Sequence, residues 1–163
     1  EYGGIKWEGY DTGNSGERGY IRGVSEGSSG QFAITFGTME TGPSAPAERL
    51  RIAANGNVTS TGTITVTSDE SIKYNVETIP HALSTVQQLR GVTYRRKSND
   101  VSEIGLIAQE VEKVLPELVE EHPDSKLKSV AYQNMVAVLI EAVKEQQLQI
   151  IELKDRLNAL EAK

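Results

Sequence analysis

Apolar and polar positions alternate along the first third of the chain, and the spacing turns helical after Pro80. Ile5 and Trp7, and then Phe32, Ile34 and Phe36, are separated by polar or small residues, the pattern of half-buried strands. It predicts strands over residues 4–10, 19–24, 31–37, 49–53 and 57–66. Asn14-Ser15-Gly16, Glu26-Gly27-Ser28-Ser29-Gly30 and Asn55-Gly56 supply the turn chemistry between them. Residues 59–67 are almost entirely Thr, Ser, Gly, Ile and Val, with too little apolar surface to hold a lone strand. Side-by-side copies of the chain would bury such a strand; a small β-sandwich within one chain is the other arrangement.

Leu83, Val86 and Leu89, at spacings of three, mark one helical face, with Pro80 opening the helix and Gly91 past its end. Residues 92–95 read as a strand, Ser98-Asn99-Asp100 as a turn, and residues 103–107 as the returning strand. A short helix over 108–114 buries Val111, Val114 and Leu115 and stops at Pro116. Residues 118–120 read as a strand, His122-Pro123-Asp124-Ser125 as a turn, and Ser129 as a helix N-cap.

From residue 132 onward the apolar residues repeat every seven. Val136, Val143, Ile150 and Leu157 take position a; Tyr132, Leu139, Leu153 and Leu160 take d, with Gln146 as a polar break in the d series. Residues 132–160 are therefore expected to self-associate as a coiled coil, with Gln146 either fixing the register or splaying the helix locally. These a and d residues do not decide between two strands and three.

Composition narrows the function. Only 37% of the residues are apolar, which is low for a compact monomer and favours burial between chains. Thirteen of the fifteen glycines lie at or before Gly62, so the chain changes character near residue 67. A net charge of −6 gives no electrostatic attraction to nucleic acid. There is no cysteine, hence no disulfide and no thiolate chemistry. No apolar run of about 18 residues and no signal-peptide pattern point to a membrane. His81 and His122 are not spaced as metal ligands and no phosphate-binding glycine loop is present, so neither metal nor cofactor is expected. The opening Glu1-Tyr2-Gly3-Gly4 reads as the continuation of a longer polypeptide.

The candidate chemistry lies where the two halves meet, in Ser68-Asp69-Glu70-Ser71-Ile72-Lys73-Tyr74-Asn75. A serine hydroxyl needs a neighbouring base to become a nucleophile. A lysine serves as that base only when neutral, and its reference pKa of about 10.4 leaves roughly one in a thousand neutral near pH 7. Burial or a nearby cation must lower that value. Five residues turn an ideal helix by about 500°, so Ser68 and Lys73 cannot share one helical face. The serine must sit at a strand end or turn, with the lysine folding back or coming from another chain. By itself this spacing is also that of a solvated lysine following a turn serine.

The neighbouring residues resemble a known family. The block from Ser68 to Asn75 is similar to the start of the endosialidase-type intramolecular chaperone domain. Leu89-Arg90-Gly91-Val92-Thr93-Tyr94 and the run from Gly105 to Val119 (Gly-Leu-Ile-Ala-Gln-Glu-Val onward) resemble its inner signatures. Ser129-Val130-Ala131-Tyr132, leading into Leu139-Ile140-Glu141-Ala142-Val143, resembles its closing helix. The resemblance implies an α+β chain: a β-structured end of a bacteriophage tail spike, fibre or neck appendage over 1–67, then a chaperone domain over 68–163. It implies a homotrimer that helps the upstream part intertwine in the host cytoplasm. It further implies a cut between Thr67 and Ser68, with Ser68 as nucleophile and Lys73 as base, leaving residues 1–67 in the virion and releasing 68–163. Asp69 matches a recurrent family position to which the sequence assigns no chemical role, a cap on the turn presenting Ser68 being the simple alternative; Gly105 is expected to allow close packing beside a strand.

Other readings remain open at this level. A non-cleaving structural or receptor-binding tip would keep the coiled coil and leave the serine idle. A glycosidase would need paired carboxylates, and the seven acids of residues 1–67 are scattered over too little chain to enclose a site. The same domain also resembles part of membrane-tethered transcription regulators such as myelin regulatory factor. Those carry a membrane helix after it, which favours the phage assignment here. Arg95-Arg96-Lys97 is either a solvated loop or a contact to an acidic surface of another chain. Gln109-Glu110 is either an exposed helix start or an intersubunit contact.

Overall fold

The computed structural model describes residues 3–11, 14–27, 30–40 and 45–162. The chain forms two compact units, Glu1–Ile72 and Lys73–Lys163. The first is β-structured and the second mixes hairpins with helices, an α+β chain.

In the first unit, β1 (Gly4–Asp11), β2 (Asn14–Ser25), β3 (Phe32–Thr38), β4 (Ala47–Ile52) and β5 (Val58–Ser60) form one antiparallel sheet in chain order. Asn55-Gly56 turns β4 into β5, with Gly56 at φ 85° and its N–H donating to the Ala53 carbonyl at 2.9 Å. The turn expected at residues 14–16 instead falls inside β2. Ser28 and Ser29 of the next expected turn lie outside the described residues. The strand expected over 57–66 shrinks to Val58–Ser60. Antiparallel pairing sets Leu50 opposite Ser60, and β4 begins at Ala47. Residues past 63 therefore have no β4 backbone left to pair with.

The register sorts the side chains of this sheet onto two faces. One face carries the cross-strand row Ile5, Ile21, Phe36 and Leu50, and beside it the row Ile34, Ile52 and Val58. The other carries Tyr20, Arg22, Ala33, Thr35, Gly37 and Arg51. Alternation marked Phe32, Ile34 and Phe36 as the inward set. The single chain does the reverse: Ala33 and Thr35 are fully buried, while Phe32 and Ile34 are 55% and 44% exposed. The reason is the cover on the polar side. Tyr20 lies across Gly37, where a Cβ would come within 2.2 Å of the ring. The Arg22 guanidinium stacks 3.9 Å from the Tyr20 centroid and pairs with Glu17. Arg51 bridges Glu26 at 2.7 Å and Glu48 at 2.8 Å. Long arginine stems thus cover the small residues beneath them.

The second unit contains two hairpins, β6 (Val92–Arg95) with β7 (Ser102–Gly105) and β8 (Val119–Glu121) with β9 (Lys128–Val130). Its helices are α1 (Ala82–Val86), α2 (Ala108–Val111) and α3 (Met135–Glu161). Ala82, Val111, Leu118, Met135, Val138 and Ala142 form the core, with Leu83, Val86, Leu89, Leu106 and Leu115 packed around it. The helical faces read from spacing therefore point inward. Pro116 ends the turn after α2 and opens a 3-10 turn, Pro116–Leu118.

Three local readings are corrected. Pro80 stands in a turn before α1, and His81, at φ 55°, occupies the cap position. Ser129 is a residue of β9 rather than a helix cap; α3 starts at Met135, after Asn134. Tyr132, assigned to heptad position d, precedes the helix, and its hydroxyl accepts the Leu106 N–H at 2.9 Å. That bond ties the tyrosine to the segment just after β7.

Candidate functional site

Thr67 and Ser68 lie in an exposed stretch without regular structure. Immediately after them comes a single 3-10 turn, Glu70–Ile72. Asp69 caps it: its Oδ1 accepts the Ser71 N–H at 2.8 Å and the Ser71 hydroxyl at 2.5 Å. The Ser71 hydroxyl, with its N–H, holds the Asp69 carboxyl below the usual carboxylate range. Lys73 follows the turn and is exposed in the single chain. Ser68 and Lys73 are thus separated by one tight turn rather than by a regular helix. The boundary between the two compact units falls between Ile72 and Lys73, so the serine and the lysine belong to different units.

Helix α3 has two apolar faces. Met135, Val138 and Ala142 are buried in the core of the second unit. Val136, Leu139, Val143, Ile150, Leu153, Leu157 and Leu160, the heptad residues, are 39% to 67% exposed. Gln146 and every residue from there to Ala162 are exposed. The distal half of α3 thus stands clear of its own chain while carrying Leu148, Ile150, Ile151, Leu153, Leu157 and Leu160. A helix of about 12–15 residues is marginal alone in water. Near the start of α3, Val136, Leu139, Ile140, Val143 and Lys144 line a groove of about 360 Å³.

The remaining candidates have partners inside the chain. Arg95 pairs with Asp100 at 2.7 Å and Arg96 with Glu103 at 2.7 Å, so the basic run closes its own hairpin. Arg96 and then Tyr94 donate to Glu103 and lower its carboxyl pKa to about 2, while the same bond raises the Tyr94 phenol. Glu110 pairs with Arg90 at 2.5 Å. His122 Nδ1 accepts from the N–H groups of Asp124 and Ser125 at 3.3 Å, a turn cap. Among the described residues no cluster of three metal-ligating side chains forms, and no helix is long and apolar enough to cross a membrane.

Two anchors escaped the sequence reading. Glu145, on α3, accepts from the N–H groups of Ala82 and Leu83 at 2.9 Å each. Gly105 lies under the Tyr132 hydroxyl, which a Cβ would meet at 2.7 Å. The glycine does allow a close approach, but to a side chain far along the chain rather than to a neighbouring strand. Nothing in local sequence signals either contact.

Residues 68–120 match the family described as chaperone of endosialidase. Two relatives, each named long tail fiber protein Gp37, from Enterobacteria phages K3 and T2, are 36% identical over 100 residues. Those alignments cover 56% of this chain and 8% of each relative. A solved structure, the carboxy-terminal domain of the bacteriophage T5 L-shaped tail fiber with its intra-molecular chaperone domain, is 14% identical at a TM-score of 0.35. It covers 95% of this chain and 53% of that one.

Proposed function

We propose that residues 68–163, of which 68–120 match the chaperone-of-endosialidase family, are the C-terminal intramolecular chaperone of a phage tail fibre, spike or appendage. The domain assembles three chains through residues 132–160 and assists folding of the β-structured part upstream. It then releases itself by autoproteolysis between Thr67 and Ser68, so that residues 1–67 stay with the virion tail. The observation that carries this reading is the start of the family match: it begins at Ser68, the residue to which the resemblance assigns the nucleophile.

The chemistry runs in two steps. Ser68 Oγ bonds to the Thr67 carbonyl carbon as the Thr67–Ser68 C–N bond breaks. The hydroxyl proton passes to the Lys73 amine and from it to the departing Ser68 nitrogen. Water then hydrolyses the ester, leaving a carboxylate on Thr67 and a free amine on Ser68. An ordinary trans peptide aligns the hydroxyl poorly with that carbonyl, so the turn must be held under strain. Both residues are exposed in a single chain, and a lysine amine serves as a base more readily out of water. Packing of neighbouring chains around the junction is what would desolvate it. Cleavage would then follow assembly.

Self-association is supported by the distal half of α3, exposed along all of its apolar residues. Each a or d side chain buried by a partner contributes roughly 1.5–3 kcal/mol. Expression of residues 1–67 alone, beside the full chain, tests the chaperone role. The truncated piece should fail to form soluble oligomers, and soluble trimers of it would contradict the role.

A further inference from the structure

A short turn separates the two residues of the proposed cut, and two side chains close it. We propose that Ser71 is a positioning residue for that cut: clamped to Asp69, it folds the chain so that Lys73 is carried back toward Ser68. The inference deepens the proposed function and rests on its assignment of Ser68 and Lys73.

The reach of the chain makes a fold at this point necessary. Extended backbone from Ser68 to Lys73 would span about 17 Å, well beyond the length of a lysine side chain. Residues in a 3-10 turn advance about 2 Å each, against about 3.3 Å in a strand, and the path also bends. Glu70–Ile72 is such a turn, set between the serine and the lysine. Packing does not hold it, because none of its three residues is buried. Its backbone closure, from the Ile72 N–H to the Asp69 carbonyl, is long at 3.4 Å. The side chains supply shorter bonds. Asp69 Oδ1 accepts the Ser71 N–H at 2.8 Å and the Ser71 hydroxyl at 2.5 Å. The hydroxyl, and then the N–H, hold the Asp69 carboxyl below its ordinary range, and a bond to an ionised acceptor is stronger than one between neutral groups. Any residue at 71 except proline can give the N–H bond, whereas the hydroxyl bond needs Ser or Thr. The identity of residue 71 therefore sets how firmly the turn stays closed. Ser71 takes no proton in the reaction; it acts through Asp69 on the path between Ser68 and Lys73.

The test is the rate of the cut in purified full-length chains, read by intact mass over a range of pH, with sedimentation of the same samples. Ser71→Ala removes the hydroxyl bond and keeps the N–H bond; Ser71→Thr restores the hydroxyl. Glu70→Ala changes an exposed side chain of the same turn outside the clamp. Trimeric Ser71→Ala should cut at least about tenfold more slowly, the effect of losing one hydrogen bond to a charged group. The midpoint of its pH–rate profile should stay in place. Ser71→Thr should come back close to the parental rate, and Glu70→Ala should match it. Ser71→Ala trimers that cut at the parental rate overturn the inference and leave Ser68 and Lys73 standing. Ser71→Thr as slow as Ser71→Ala, or Glu70→Ala equally slow, also overturns it, because the hydroxyl is then not the operative group. So does a shifted midpoint, which would place Ser71 in the proton transfer, or a Ser71→Ala chain that no longer assembles. A parent chain left uncut between Thr67 and Ser68 overturns the proposed function itself, and this role with it.

Discussion

The Glu145 carboxylate caps the helix that begins at Ala82. It accepts the Ala82 and Leu83 N–H groups, both at 2.9 Å, from 63 and 62 residues away. His81, at the usual cap position, has a left-handed backbone and makes no side-chain cap bond, so α1 takes its cap from α3. Glu145→Ala should lower stability by about 1–2 kcal/mol, the usual effect of a lost cap. Thermal unfolding of a form kept unassembled by Leu153→Asp, with and without Glu145→Ala, measures it. An unchanged melting temperature would contradict the cap.

Gly105 and Tyr132 form the second remote anchor. Gly105→Ala sets a Cβ at 2.7 Å from the hydroxyl that accepts the Leu106 N–H, so ring or strand must move. The loss is expected to be about 1–3 kcal/mol. Tyr132→Phe removes the colliding oxygen, so the double variant should lose less than the sum of the two single changes. Additive losses in a double-mutant cycle would show that the two residues do not meet.

Acid should loosen the β6–β7 hairpin. Glu103 accepts from Arg96 and Tyr94, and its carboxyl falls from 4.5 to about 2. A carboxyl lowered on folding stabilises the fold above its unfolded value, and that contribution is lost as pH falls through the folded one. The window is therefore pH 4.5 down to about 2. The Glu103 carboxyl carbon shift, followed by NMR, should titrate near the lower end, and Arg96→Ala should return it toward the ordinary value. A parent midpoint near 4.5 would mean the pairing is absent in solution.

The a and d residues separate assembly from folding. Leu153 is 60% exposed in one chain, whereas Val138 is 3% exposed. Leu153→Asp should abolish oligomers in sedimentation while leaving the circular dichroism of the second unit's core largely intact. Val138→Asp should unfold that core outright. A trimeric Leu153→Asp chain would remove α3 as the clamp.

Local features were readable from sequence. The β6–β7 hairpin, the stop at Pro116, the Asn55-Gly56 turn and the seven-residue repeat each depend on residues close in the chain. So does the Asp69 cap on the Ser71 N–H. Remote relationships were not readable, because nothing within ten residues of Glu145 or Tyr132 encodes Ala82 or Gly105. Alternation in β3 told which side chains share a face but could not tell which face the chain covers. Tyr20 laid over Gly37, with Arg22 stacked on its ring, made the polar face of the sheet the buried one. Ser68 and Lys73 are proposed from the resemblance of their block to the family, because a spacing of five residues fits a solvated lysine as well; the 3-10 turn between them is visible only in the structure.

Cleavage between Thr67 and Ser68 is the central event of the proposed function. Intact-mass spectrometry of the purified parent chain, Ser68→Ala, Lys73→Ala and Leu153→Asp, sampled at intervals after folding, measures it. The parent should yield two fragments, one ending at Thr67 and one beginning at Ser68. Ser68→Ala and Lys73→Ala should remain full-length trimers, and monomeric Leu153→Asp should remain uncut with both residues in place. Cleavage at another bond, or full cleavage in Ser68→Ala, would contradict the assignment of Ser68; cleavage in the monomer would contradict the coupling to assembly.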